Sequence, residues 1–126
     1  MVKRIIKTDQ APGAIGPYSQ AVEANGTLYC SGQIAIDPVT GELRTESIEE
    51  ETHQIMKNVS AVLQAAGYGL ENVVKTSIFL SSMENFSSVN DVYASYFESD
   101  YPARETVEVS ALPKYVNVEI SVLAVK

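Results

Sequence analysis

Residues 116–125, VNVEISVLAV, alternate apolar and polar side chains along their length. Val116, Val118, Ile120, Val122 and Ala124 form one apolar face, with Asn117 and Glu119 opposite. A period of two marks a strand with one buried face. Just upstream, residues 104–111 read as a second strand, joined to the first through Leu112-Pro113-Lys114. In it Arg104, Thr106 and Glu108 share one face while Val107 and Val109 take the other. Residues 73–80 are rich in β-branched and aromatic side chains and read as a third strand. Residues 27–34 read as a fourth, with Leu28, Cys30 and Ile34 on the apolar side and Tyr29, Ser31 and Gln33 opposite. On that count Cys30 is a small buried hydrophobe rather than a reactive thiol.

Two helices separate these strands. The first spans residues 47–66, where Ser47 and Glu50 fit a capping box and Glu49, Glu50 and Glu51 suit the positive end of the helix dipole. Ile48, Ile55, Met56, Val59, Val62, Leu63 and Ala66 make its apolar stripe, and Gly67 and Gly69 can end it. His53 falls near the opposite face and reads as a solvated residue. The second helix spans residues 82–97, with Phe86, Val89, Tyr93, Tyr96 and Phe97 inward. Asn90 projects among them, and a polar amide there needs a partner, either a backbone group or a ligand.

The order predicts an α+β fold, a mixed β-sheet with two helices packed on one face. On this reading the other face carries Arg104, Thr106, Glu119 and Ser31 among apolar groups. Such a face is seldom left bare, so oligomerisation is expected. No linker or repeat divides the chain, so residues 1–126 read as a single domain.

The chain has 126 residues, 45% of them hydrophobic, enough for a core without disulfides or a metal. Its nine Lys and Arg stand against sixteen Asp and Glu, a formal charge of −7. That argues against nucleic-acid or anionic-membrane partners, which need clustered cations. One cysteine and one histidine offer neither a disulfide nor a zinc ligand set. There is no secretory signal and no apolar run long enough for a membrane span, which makes the cytoplasm the expected location.

Seven short motifs occur in order: Gly16-Pro17-Tyr18-Ser19-Gln20, Ser31-Gly32-Gln33-Ile34, Pro38-x-Thr40-Gly41-Glu42, Val74-Lys75-Thr76, Val89-Asn90-x-x-Tyr93, Pro102-Ala103-Arg104 and Val118-Glu119-Ile120. Together they resemble the Rid family (reactive intermediate deaminase, or YjgF family), in particular its RidA-like branch. The resemblance runs from Ala11 to Val125. It implies a chorismate-mutase-like fold and a homotrimer with active sites between subunits. The implied reaction is hydrolysis of 2-imino acids or their enamine tautomers, such as 2-iminobutanoate and 2-iminopropanoate, to 2-oxo acids and ammonia. No cofactor and no metal are implied.

Carried over residue by residue, the resemblance puts Arg104 at the substrate-binding arginine. A planar guanidinium suits a carboxylate, which it can hold through two parallel hydrogen bonds. The structural alternative is an ion pair with Glu105 or Glu108. Glu119 falls at the glutamate that positions and activates the attacking water. Tyr18, Ser31, Gly32 and Asn90 match residues in or near the same cleft. Thr106 stands where some members carry cysteine, which excludes a required cysteine nucleophile and leaves a hydroxyl that can help hold substrate. Glu105, if alternation holds, points away from the cleft.

The competing function is a regulatory protein linked to branched-chain amino-acid metabolism, using the same cleft to sense a 2-oxo acid or amino acid. Arg104 and Glu119 together favour the enzyme, because a carboxylate sensor needs only the arginine. A ribonuclease is disfavoured by the charge of −7 and the lack of a His pair or basic stripe.

Overall fold

The computed structural model describes residues 2–126. Its strands are β1 (Lys3–Ile6), β2 (Ala21–Ala24), β3 (Thr27–Cys30), β4 (Val73–Leu80), β5 (Ala103–Glu108) and β6 (Val118–Val125). The helices are α1 (Ile48–Ala65) and α2 (Phe86–Ala94). One six-stranded sheet runs in the order β1-β2-β3-β6-β4-β5, with β4 and β5 parallel and every other pair antiparallel. This is the mixed α+β architecture that the sequence predicts.

The core lies between the sheet and the helices. From β6, Val118, Ile120, Val122 and Ala124 are all buried, facing Ile55, Met56, Val59, Val62 and Leu63 of α1. Ser47 caps α1 as predicted, its side chain accepting from the Glu50 backbone N–H. Glu51, one of the three first-turn glutamates, is fully buried. His53 is exposed as predicted, and its Nδ1 lies 2.9 Å from the Tyr96 hydroxyl.

Three further expectations need correction. The strands β1 and β2 were not anticipated. Each has only four residues, too few to show a period, although Asn25-Gly26 carries the two-residue hairpin signal that joins β2 to β3. The second helix is shorter than residues 82–97: a 3₁₀ turn at Met83–Asn85 precedes α2, which ends at Ala94. The strand expected over residues 27–34 breaks at Cys30.

That break has a structural cause. In β3, Tyr29 lies opposite Leu123, and strict continuation would bring Gly32 opposite Ile120. Gln33 takes that place instead, exchanging both backbone hydrogen bonds with Ile120. One extra residue has been inserted, and an insertion of one reverses which side chains point inward. Gln33 is therefore buried and Ile34 is not, the opposite of the predicted alternation. Cys30, before the break, packs against the core as predicted, and burial pushes its thiol up to about 12.

Candidate functional site

The largest correction concerns the faces of β5. Arg104 pairs with Thr76 in the parallel β4–β5 ladder, and Thr106 pairs with Ile78. Thr76 and Ile78 are buried beneath the helices. Arg104 and Thr106 therefore lie on the helix-covered face. Glu119 lies opposite Phe79, on the uncovered face. Within one chain the sheet separates Arg104 from Glu119, so the predicted polar face does not hold both.

Around Arg104 the helix α2 builds a cradle from positions i, i+4 and i+7, which share one side of a helix. The guanidinium carbon sits 5.6 Å from the Phe86 ring centroid and 5.3 Å from that of Tyr93, both within cation–π range. Nη1 of Arg104 donates to Oδ1 of Asn90 at 2.8 Å. Asn90 thus braces the arginine rather than a backbone group. The Tyr93 hydroxyl is occupied beneath, donating to the buried Thr76 at 3.0 Å. Neither Glu105 nor Glu108 takes the ion pair considered for Arg104. Glu105 reaches Lys75 at 2.9 Å on the uncovered face, and a Glu108 oxygen accepts from the Met83 N–H. A hydrogen bond from Ser77, together with Lys75, holds the Glu105 carboxyl below the usual carboxylate range. Two residues beyond Arg104, the Thr106 hydroxyl oxygen is buried and has no hydrogen-bond partner among the described residues.

Glu119 belongs to a different pocket. A cavity of about 490 Å³ is lined by Pro12, Tyr18, Ser31, Gly32, Ile34 and Glu119, among others. Hollows of about 780 and 770 Å³ elsewhere contain neither Arg104 nor Glu119. The inserted residue at the end of β3 brings Ser31 and Gly32 beside the carboxylate. A Cβ at Gly32 would lie 2.8 Å from the Glu119 Cδ, so a larger residue there would require the carboxylate end of that side chain to move. Among the described residues no donor hydrogen-bonds to this carboxylate, and its half-buried position pushes its pKa up. The Ser31 hydroxyl donates to the Ser19 carbonyl at 2.6 Å, which ties the Tyr18 loop to β3 and leaves the Ser31 lone pairs free. Gln20 anchors the other side of that loop. Its Nε2 donates to the carbonyls of Thr8 and Pro12, and its Oε1 accepts from the Thr8 N–H. Tyr18 itself stays half exposed at the cavity mouth.

Tyr18, Ser31, Gly32 and Glu119 are thus brought together, as are Arg104, Asn90 and Thr106, in two clusters on opposite faces. The aromatic cradle was readable in the helical spacing of Phe86, Asn90 and Tyr93. Lys114, which also lines the Glu119 cavity, carried no such signal. Among the described residues no group of three or more His, Cys, Asp or Glu could hold a metal ion, and no helix is long and apolar enough to cross a membrane.

Comparison with known proteins adds a family to this geometry. The family described as endoribonuclease L-PSP matches residues 8–126. A crystal structure of a member of the conserved Rid protein family from Yersinia pestis superposes with a TM-score of 0.97 at 54% identity, covering 99% of this chain and all of that one. The chain is a Rid-family (L-PSP) protein. Its fold is accordingly the chorismate-mutase-like α+β fold. A human relative 46% identical over 126 residues, spanning all of this chain and 92% of its own, is named 2-iminobutanoate/2-iminopropanoate deaminase. A crystal structure of Escherichia coli TdcF with bound serine matches with a TM-score of 0.94 at 37% identity, covering 98% of each chain.

Proposed function

We propose that this Rid protein hydrolyses small 2-imino acids to 2-oxo acids, in sites that two copies of the chain complete together. The separation of Arg104 from Glu119 across the sheet carries this reading. Each cluster is half of a site. Among the described residues Arg104 has rings and an amide around it but no carboxylate within ion-pair reach, and Glu119 has walls but no cation within ion-pair reach. The uncovered face that bears Glu119 also exposes Ile5, Tyr29 and Val107, apolar surface that a second copy would cover. A ring of three copies is the assembly we propose.

In this scheme Arg104 holds the substrate carboxylate through two parallel N–H donors, and the Thr106 hydroxyl completes that end. Glu119, contributed by the neighbouring copy, accepts a proton from water as the oxygen bonds to the imine carbon. The C=N π electrons move to nitrogen and give a carbinolamine. Glu119 then returns the proton to nitrogen. Glu119 next takes the carbinolamine O–H proton and passes it to nitrogen, so that as the C=O forms the C–N bond breaks and neutral ammonia leaves. One imine and one water thus give one 2-oxo acid and one ammonia. A carboxyl whose pKa is raised by burial suits both halves of this proton traffic. Tyr18, Ser31 and Gly32 shape the water side of the cleft. The names of the deaminase relatives support the activity.

The experiment generates 2-iminobutanoate from threonine with a pyridoxal-phosphate dehydratase in the presence of semicarbazide. Added protein should suppress the semicarbazone and speed release of the 2-oxo acid; no effect at micromolar protein contradicts the proposal. The second reading, a carboxylate sensor, is favoured by the serine-bound relative. It predicts binding of serine or 2-oxobutanoate with no hydrolysis. The family's endoribonuclease label finds no basic stripe here, with a charge of −7.

A further inference from the structure

Glu51, in the first turn of α1, is fully buried, and a buried carboxylate is costly unless its oxygens are satisfied. Its partners come from one place, the start of β6. One oxygen, Oε2, accepts from the backbone N–H groups of Asn117 at 2.9 Å and Val118 at 3.1 Å. The other, Oε1, accepts from Nδ2 of Asn117 at 2.8 Å. All three partners are donors, so an acceptor-only side chain is required.

On either side of this grip stand two features that need holding. After it comes Glu119. Before it, Lys114 and Tyr115 both occupy the left-handed region, with φ of 55° and 54°. Neither is glycine, and consecutive L-residues in that region are sterically unfavourable. Such a turn persists only where its surroundings over-determine it. Here Val116 is buried on one side and Glu51 holds the next two residues.

We propose that Glu51 is a positioning residue for Glu119. It holds the 113–116 turn in its strained form, and so fixes the Glu119 carboxylate against Gly32 and the Pro113–Lys114 wall of the cavity. The proposal rests on the reading of Glu119 as the group that activates water. Glu51→Gln would turn an NH₂ toward one of its donors, loosen the grip and let the turn relax.

The test uses three full-length variants, Glu51→Gln, Tyr115→Gly and the double variant, with matched thermal melts and imine-hydrolysis kinetics. Glu51→Gln should lower kcat about 10–100-fold, the effect of a misplacement near 1 Å, with KM changed less than about threefold because Arg104 is untouched. Tyr115→Gly places a residue that tolerates positive φ at an exposed position and should leave turnover near normal. In the double variant the relaxed turn has no steric advantage, so kcat should return to within about threefold of Tyr115→Gly alone. General loss of structure would show as a lowered melting temperature, so the rescue is read only between variants that are folded at the assay temperature. If Glu51→Gln fails to fold, Asn117→Ala, which removes only the side-chain arm of the grip, should show a smaller kcat loss with the same rescue. Normal kcat in the folded variant, or a loss that Tyr115→Gly does not rescue, overturns the proposal. Glu119→Gln is run alongside: slow Glu119→Gln with normal Glu51→Gln sinks only the positioning role, whereas normal Glu119→Gln sinks the reading of Glu119 itself.

Discussion

The Arg104 cradle and the Glu119 cavity are built in different ways, and the proposed function gives them different work. The cradle is finished before any ligand arrives. Two ring faces and one amide from a single helix fix the guanidinium, and the Tyr93 hydroxyl beneath it is already satisfied. The Glu119 cavity is built from loops around a carboxylate that no donor satisfies among the described residues and that burial leaves more basic than usual. In the proposed function the locked cation binds the carboxylate and the unsatisfied carboxylate is the base. Kinetic effects should divide accordingly, with the cavity moving kcat and the cradle moving affinity.

The largest effect expected is at the cavity. Glu119→Gln should reduce the rate of imine hydrolysis about 10²–10⁴-fold while 2-oxo-acid affinity, measured by calorimetry, stays within about threefold. Because burial raises this carboxyl's pKa, the acidic limb of wild-type kcat should lie above the ordinary glutamate value of about 4.3. The same raised value means that Glu119 favours folding most at low pH, and that this contribution is lost as pH rises through the folded-state pKa. Glu119→Gln should therefore melt no lower than wild type at pH 7. A lower melting temperature would mean that the carboxylate has a stabilising partner instead.

Next in size is the cradle itself. Arg104→Lys keeps the charge but loses the two-pronged geometry, at a cost of about 2–3 kcal/mol in carboxylate binding. Turnover at sub-saturating imine should drop roughly 30–150-fold in a folded protein. Near-normal turnover would show that Arg104 does not hold the carboxylate. Asn90→Ala frees one edge of the guanidinium and should weaken 2-oxo-acid binding only about fivefold, for a loss of about 1 kcal/mol. A change in kcat with unaltered affinity would blur the division between cradle and cavity. Thr106→Ala should be smallest, about two- to threefold in KM, because a buried, unpartnered hydroxyl adds no stability to the fold and offers only one neutral hydrogen bond to ligand.

The same contrast explains what the sequence could and could not disclose. The elements that hold the site, α1, β4 and β6, have enough residues to show their period. The spacing of Phe86, Asn90 and Tyr93 on α2 is local too. The alternation of β5 correctly grouped Arg104 with Thr106, but which side those residues face is decided by pairing with β4, a parallel partner about thirty residues upstream. An apolar-inward rule misassigned it, because β5 is an edge strand whose helix-side neighbours are the rings around a cation. The fit of Gly32 against Glu119 depends on one inserted residue between β3 and β6, a matter of register that no local pattern records. Glu51 looked like one of three dipole-compensating glutamates, and only the distant start of β6 gives it another task.

The central claim is that each site takes Arg104 from one copy and Glu119 from another. It is tested by mixing Arg104→Lys and Glu119→Gln chains, each nearly inactive alone at sub-saturating imine, through co-refolding at equal amounts and assay at that concentration. In a ring of three, every mixed assembly holds one site with both native residues, so the mixture should recover about one-quarter of the wild-type rate. The recovered activity should sediment at three times the 13.7 kDa chain mass. Activity no greater than the average of the two parent variants, in mixtures shown by mass spectrometry to contain hybrids, would contradict a shared site.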